Sequence, residues 1–181
     1  MKVLLAVNSN KDVNYAITRE IASFLLSKNV SVVLEDGIST KIPGCYIANS
    51  SNINEIDFAI ILGGDGTIIR KSHLYKDFGI NILGINLGRV GCLTEGDPNN
   101  YKEVIGKVLD GKYKIEKRIT LGGNIVKENG ETISLFAVND IVLYRGERHK
   151  MIDINIKIND SNNTTFYADG VIVATPTGSS A

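Results

Sequence analysis

Hydrophobic positions along this chain change their period past its middle. Before about Gly111, short apolar runs alternate with stretches of helical spacing. Lys2–Val7, Val30–Leu34, Phe58–Leu62 and Ile80–Ile85 read as strands, and Phe58–Leu62 is apolar throughout, as expected of a parallel strand buried on both faces. Val13–Lys28 places Ala16, Ile17, Ile21, Phe24 and Leu25 at helical spacing. Ile68–Tyr75 is a second helical stretch. Asp97-Pro98 opens a third, running to Leu109 with Pro in its first turn. Gly37–Asn54 is polar and broken at Pro43-Gly44, and Ile47 is its one hint of a short strand. Strands separated by helices predict right-handed βαβ units and a parallel sheet.

After Gly111 the signals become those of β structure. Glu128-Asn129-Gly130 signals a hairpin. Leu135–Leu143 is apolar, and Met151–Ile158 alternates strictly, as a half-buried antiparallel strand does. Asn159–Asn162 reads as a turn from which Thr164–Ala168 pairs back. The predicted fold class is therefore α/β followed by β. A Rossmann-like parallel lobe over residues 1–96 precedes a linking helix and β-rich lobe over residues 97–181.

Composition narrows the function classes. The chain has 181 residues, 43% hydrophobic and 22% charged, ordinary for a globular protein. Its 20 basic residues balance 20 acidic ones, and no basic run exists, so nothing points to nucleic acid. No apolar run is long enough for a membrane span, and the N-terminus lacks a cleavable signal pattern. Cys45 and Cys92 have no metal or redox spacing, which predicts a reducing, cytoplasmic setting and no resident metal.

The densest chemistry lies at Gly63-Gly64-Asp65-Gly66-Thr67, between an apolar strand and a helix. Open α/β sheets bind ligands at that kind of junction. Glycines let a phosphate or sugar approach the backbone, and a new helix offers free N–H groups to an anion. Asp65 could there take a proton from a hydroxyl or hold a metal ion. Equally, Asp65 or Thr67 could simply cap the helix. Asn86–Thr94 is a second glycine-rich loop, with Gly88, Arg89 and Gly91, at the same predicted sheet edge. The Arg89 fork suits a phosphate, and a solvated arginine in an ordinary loop is the plainer alternative.

Asn139-Asp140 interrupts an apolar run with two polar residues that need partners. A ligand amine with ring nitrogens would supply them, and so would a bulge held by its own side chains. Asp169–Ser180 is a strand followed by a hydroxyl-rich loop, fit for ribose or amide contacts or for a helix cap. His73 and His149 stand alone, and Arg145, Arg148 and Lys150 read as a solvated basic loop.

In their order, Gly63–Thr67, Asn86–Thr94, Asn139-Asp140 and Asp169–Ala181 resemble the blocks of the NAD kinases, which phosphorylate the adenosine 2′-hydroxyl of NAD. The first block is shared with diacylglycerol, sphingosine and phosphofructokinases, whereas the Asp-Gly start and Thr-Pro-Thr-Gly-Ser core of the last is more specific. The resemblance covers essentially the whole chain and implies an α/β lobe with a β-sandwich lobe. It implies Asp65 as proton acceptor and Gly66 against the dinucleotide. It implies Asn139 and Asp140 on the adenosine, Asp169 on the nicotinamide side, and Ser180 and Ala181 on adenine and nicotinamide. Gly63, Gly64, Thr67, Gly88, Arg89 and Gly91 fall on the phosphate side. Implied partners are NAD and ATP or polyphosphate, with Mg²⁺ accompanying ATP, in a homodimer or homotetramer. Three positions depart from the common pattern: Cys92 for Phe, Asp140 for Glu and Ser180 for Thr. Relatives also continue past Ala181 with a Tyr that packs on the dinucleotide, so the sandwich is expected to be incomplete. A dinucleotide-binding but catalytically incomplete fragment, and a lipid kinase sharing only the first block, are the alternative readings.

Overall fold

A computed structural model describes the chain except Ser39, Arg89, Val90, Arg148, residues 160–163, Ala181 and the side chain of Ser180. It divides into two compact units, Met1–Glu116 and Lys117–Ala181.

The first unit is built on a parallel sheet of strands β1 (Lys2–Val7), β2 (Ser31–Leu34), β3 (Tyr46–Ile47), β4 (Phe58–Gly63) and β5 (Asn81–Asn86). Their order is β3-β2-β1-β4-β5. Past their first residues, Lys2 and Ser31, strands β1 and β2 are apolar and buried at every position, and so is β4 from Phe58 to Leu62, because both faces of the sheet are covered. On β1, Val3, Leu5 and Val7 enter one core with Ile21 and Leu25 of helix α1 (Ala16–Ser27) and with Tyr101 and Ile105 of α3 (Tyr101–Leu109). Leu4 and Ala6 enter the other, with Ile68 and Tyr75 of α2 (Asp65–Tyr75). The alternation along one strand thus feeds two layers of helix.

Two helices start later than their sequence-predicted bounds, each for a local reason. The α1 helix begins at Ala16, after a short 3-10 turn at Val13–Tyr15. Asp12, buried behind that turn, accepts the N–H groups of Ile17 (3.0 Å) and Thr18 (2.9 Å) and the Thr18 hydroxyl (2.6 Å). This carboxylate satisfies two of the helix's orphan donors and fixes where it starts. At the third helix, Asp97 accepts the Asn99 N–H (2.7 Å) and Asn100 accepts the Asp97 N–H (2.8 Å). The result is a closed turn, and α3 begins only at Tyr101. Because α3 packs Tyr101 and Ile105 into the first core, the first unit extends through Glu116, past the 96/97 division read from the sequence. The hint at Ile47 is realised as β3, one of the sheet's two edge strands.

The described residues of the second unit form three antiparallel pairs. Strand β6 (Leu121–Val126) pairs with β7 (Thr132–Ala137) through a turn in which Gly130 takes φ +83°. Strand β8 (Asp140–Tyr144) pairs with β11 (Gly170–Ala174), and β9 (Ile152–Ile156) with β10 (Thr164–Ala168). The apolar run Leu135–Leu143 is thus two strands, parted at Val138-Asn139. Among its described residues only Ile154 is a buried hydrophobic, while Val142, Leu143, Phe166, Ile172 and Val173 stand exposed. The predicted turn at Asn159–Asn162 lies largely outside the described residues. No helix among the described residues is long and apolar enough to cross a membrane.

Candidate functional site

The chain runs outward from β1 through β2 to β3, then returns to place β4 on the other side of β1. That reversal opens a crevice at the carboxyl ends of β1 and β4, where doubly wound sheets hold ligands. The turn after β1 and the turn after β4 meet there. The Asn8 N–H donates to the Leu62 carbonyl (2.9 Å), and its side-chain amide reaches the Thr67 hydroxyl (3.3 Å). Between them lies a cavity of about 570 Å³ lined by Asn8, Lys11, Gly64–Thr67, Arg70 and Gly91.

Asp65 is the first residue of α2, with Gly64 at the N-cap, and no side chain caps the helix. Its carboxylate points elsewhere. One oxygen accepts the Cys92 N–H (2.8 Å) and the other the Leu93 N–H (3.0 Å), both from the loop after β5. The capping alternative for Asp65 therefore does not hold. Two charge-assisted bonds fix the carboxylate at the crevice, and each oxygen retains a lone pair. Gly91 is required by this arrangement: a Cβ there would lie 2.2 Å from Asp65 Oδ1. At Gly63 a Cβ would strike the buried Thr67 side chain at 2.6 Å, so the strand can turn into α2 only without one. Gly88 donates its N–H to the Asn86 side-chain oxygen (2.8 Å), and Asn86 is itself buried. Gly66 is exposed with open space around it. Arg89 lies outside the described residues.

Sequence reading missed Asn8, Lys11 and Arg70. The signal for the first two was available, since Asn8–Lys11 follows the carboxyl end of a predicted strand just as Gly63–Thr67 does. Arg70 lies on α2 beyond the glycine block. Further along α2, Tyr75 and Lys71 both donate to Glu35 at the end of β2. Burial first, and then this carboxylate, push the Tyr75 hydroxyl well above the usual tyrosine range. His73 is exposed on the same helix.

Among the described residues no three His, Cys, Asp or Glu side chains gather as metal ligands. Among the described residues lining the cavity, Asp65 is the only carboxylate. A resident Mg²⁺ needs more oxygen ligands than this, whereas an ion carried by substrate phosphates needs one carboxylate at most. The residues fit the second arrangement.

In the second unit, Asn139 and the loop after β11 are tied together. The Thr175 N–H donates to the Asn139 carbonyl (2.7 Å), and the Thr175 hydroxyl donates to Val138 O (2.7 Å) and accepts the Gly178 N–H (3.1 Å). Thr175 is buried. The Asn139 side-chain oxygen is buried without a hydrogen-bond partner among the described residues. A buried acceptor left without a donor is costly in a folded protein. Asp140, next in sequence, opens β8 opposite Ala174. Asp169 is mostly exposed but not free: Arg145 Nε donates to its carboxylate at 2.6 Å. Arg145 is therefore a partner of a candidate site residue, contrary to its reading as a solvated arginine, because the β8–β11 register sets the two side by side. Ser180 ends a short 3-10 turn at Gly178–Ser180, and its side chain, like Ala181, lies outside the described residues.

Comparison with known proteins gives a consistent result. The family model for the ATP-NAD kinase N-terminal domain matches residues 46–113, and that for the ATP-NAD kinase C-terminal domain matches residues 138–181. The chain is 41% identical to the NAD kinase of Caldanaerobacter subterraneus, over 99% of its own length and 64% of that protein's. It is 34% identical to the bifunctional NADP phosphatase/NAD kinase of Methanocaldococcus jannaschii, covering 31% of it. The solved structure of yeast NADH kinase complexed with NADH superposes with a TM-score of 0.80 at 26% identity, over the whole of this chain and 56% of that one. The chain thus spans less than two thirds of the length of these relatives.

Proposed function

The chain belongs to the NAD kinase family, and from that premise we propose that it transfers a phosphoryl group from ATP, or polyphosphate, to the adenosine ribose 2′-hydroxyl of NAD, making NADP. The observation that carries this reading is the Asp65 carboxylate, held by two backbone N–H groups at the crevice of the parallel sheet. A hydroxyl presented there gives its proton to the free lone pair of Asp65 as its oxygen bonds to phosphorus. The bond from that phosphorus to the donor's leaving oxygen breaks in the same step, releasing ADP. In a loose transition state proton removal comes late, so a weak base suffices and positioning supplies most of the rate. Mg²⁺ arrives with ATP as part of the substrate and neutralises phosphate charge.

In the second unit the orphaned Asn139 oxygen supports an adenosine contact, its partner being an exocyclic amine or ribose hydroxyl. Asp140, Asp169, Ser180 and Ala181 are assigned to the dinucleotide with it, and Gly63, Gly64, Thr67, Gly88, Arg89 and Gly91 to the phosphate side. The enzyme is taken to be a cytoplasmic homodimer or homotetramer. The test is to incubate the chain with NAD, ATP and Mg²⁺ and read NADP with an NADP-specific dehydrogenase. NADP formation is expected. Calorimetric NAD binding with no NADP would mark a binding fragment instead, and phosphorylation of diacylglycerol but not NAD would mark a lipid kinase.

A further inference from the structure

We infer that Lys11 is the residue that grips the phosphoryl donor, with Arg70 as its second cation, and that the donor is recognised through its phosphate chain and not through its base. The inference deepens the kinase reading and rests on it for the identity of the donor. Lys11 closes the turn after β1, and its ammonium stands 3.2 Å from where a Cβ would sit at both Gly64 and Gly88. It therefore lies between the two glycine-rich loops, in the space their missing side chains leave. Asp65, the one carboxylate among the described lining residues, already accepts two N–H groups. Arg70 lines the same cavity from α2. Two cations flanking open glycine backbone, beside the amino end of an 11-residue helix, suit a chain of phosphates.

The lining also says what is absent. Among the described residues that line the cavity, none is aromatic or a large apolar residue. Among these residues a purine finds no face to stack on and no apolar wall to be buried against. What these residues offer for discrimination between donors is charge, which reads phosphate number.

The test is titration calorimetry of the chain with inorganic tripolyphosphate, which needs no turnover and contains no base. Tripolyphosphate is expected to bind, and Lys11→Met to weaken it by about tenfold or more, the worth of one charge-assisted contact. Arg70→Met should weaken it less. Lys28→Met is the control of equal charge change, since Lys28 follows the opposite end of α1. In turnover, Lys11→Met should raise KM for ATP while leaving NAD affinity unchanged, and GTP or CTP should replace ATP within a few-fold. Equal tripolyphosphate affinity in Lys11→Met and the parent chain would overturn the assignment, as would a hundredfold preference for ATP over GTP. Circular dichroism of Lys11→Met guards against misfolding, and Lys11→Arg, which keeps the charge, should retain most of the binding. Loss in Lys11→Met together with a silent kinase assay would leave the anion site standing and remove the kinase reading alone.

Discussion

Alanine at Gly91 is the substitution through which the crevice is most sharply tested. Its Cβ would stand 2.2 Å from Asp65 Oδ1 and 2.7 Å from Cγ. Ordinary contact begins near 3.4 Å, so carboxylate or loop must withdraw by about 1.2 Å. A shift of that size stretches the 2.8 and 3.0 Å bonds from Cys92 and Leu93 beyond hydrogen-bonding range unless both strands of contact move together. Losing one charge-assisted bond to a half-buried carboxylate costs about 1.5 kcal/mol, the low end of such bonds because water replaces part of it. The larger effect falls on turnover, since a misplacement of about 1 Å at a reacting group costs roughly a hundredfold. NADP formation and urea unfolding of Gly91→Ala measure both. Gly106→Ala is the control: it lies inside α3 with nothing within 4 Å of its would-be Cβ, and should stabilise by about 0.5–1 kcal/mol with unchanged turnover. Turnover in Gly91→Ala within about twofold of the parent, with unchanged stability, would refute the placement of Asp65.

Asn139→Ala removes an orphaned acceptor, so stability should hold within about 0.5 kcal/mol or improve, while NAD affinity by calorimetry falls about tenfold. Tyr75→Phe removes the 2.7 Å bond to Glu35 and should lower stability by about 1 kcal/mol at neutral pH. Because the folded state holds the Tyr75 proton above the ordinary value of 10.0, the unfolded chain releases it first, and stability falls as pH rises past that value. The parent's slope there should exceed that of Tyr75→Phe by up to about 1.4 kcal/mol per pH unit in urea titrations. Asp12→Ala leaves the Ile17 and Thr18 donors unmet behind a buried turn, and should lower the urea-unfolding free energy by about 2 kcal/mol.

The parallel sheet was legible because burial on both faces writes continuous apolar runs such as Phe58–Leu62, which no loop would carry. Glycine at Gly63 and Gly91 was legible as a mark of close approach, though not what approached. The tie from Asp65 to Cys92 and Leu93 was not legible, since it joins loops 27 and 28 residues apart through backbone N–H groups that every residue possesses. For the same reason a helix cap and a held carboxylate looked alike in sequence. Lys11 was hidden by its type, because an isolated lysine in a polar turn is ordinarily solvated. The break at Asn139 was visible as polarity within an apolar run, but the long-range Thr175 contact that holds it was not. Arg145 was misread because only the pairing of β8 with β11 brings it to Asp169.

The central claim is that Asp65 takes the proton of the NAD 2′-hydroxyl. Asp65→Asn keeps the shape of the side chain and removes its charge. NADP formation and NAD affinity measured on that one variant test the claim most directly. The account predicts turnover reduced by about a hundredfold or more with NAD affinity nearly unchanged. Near-parental turnover in the folded variant would contradict it.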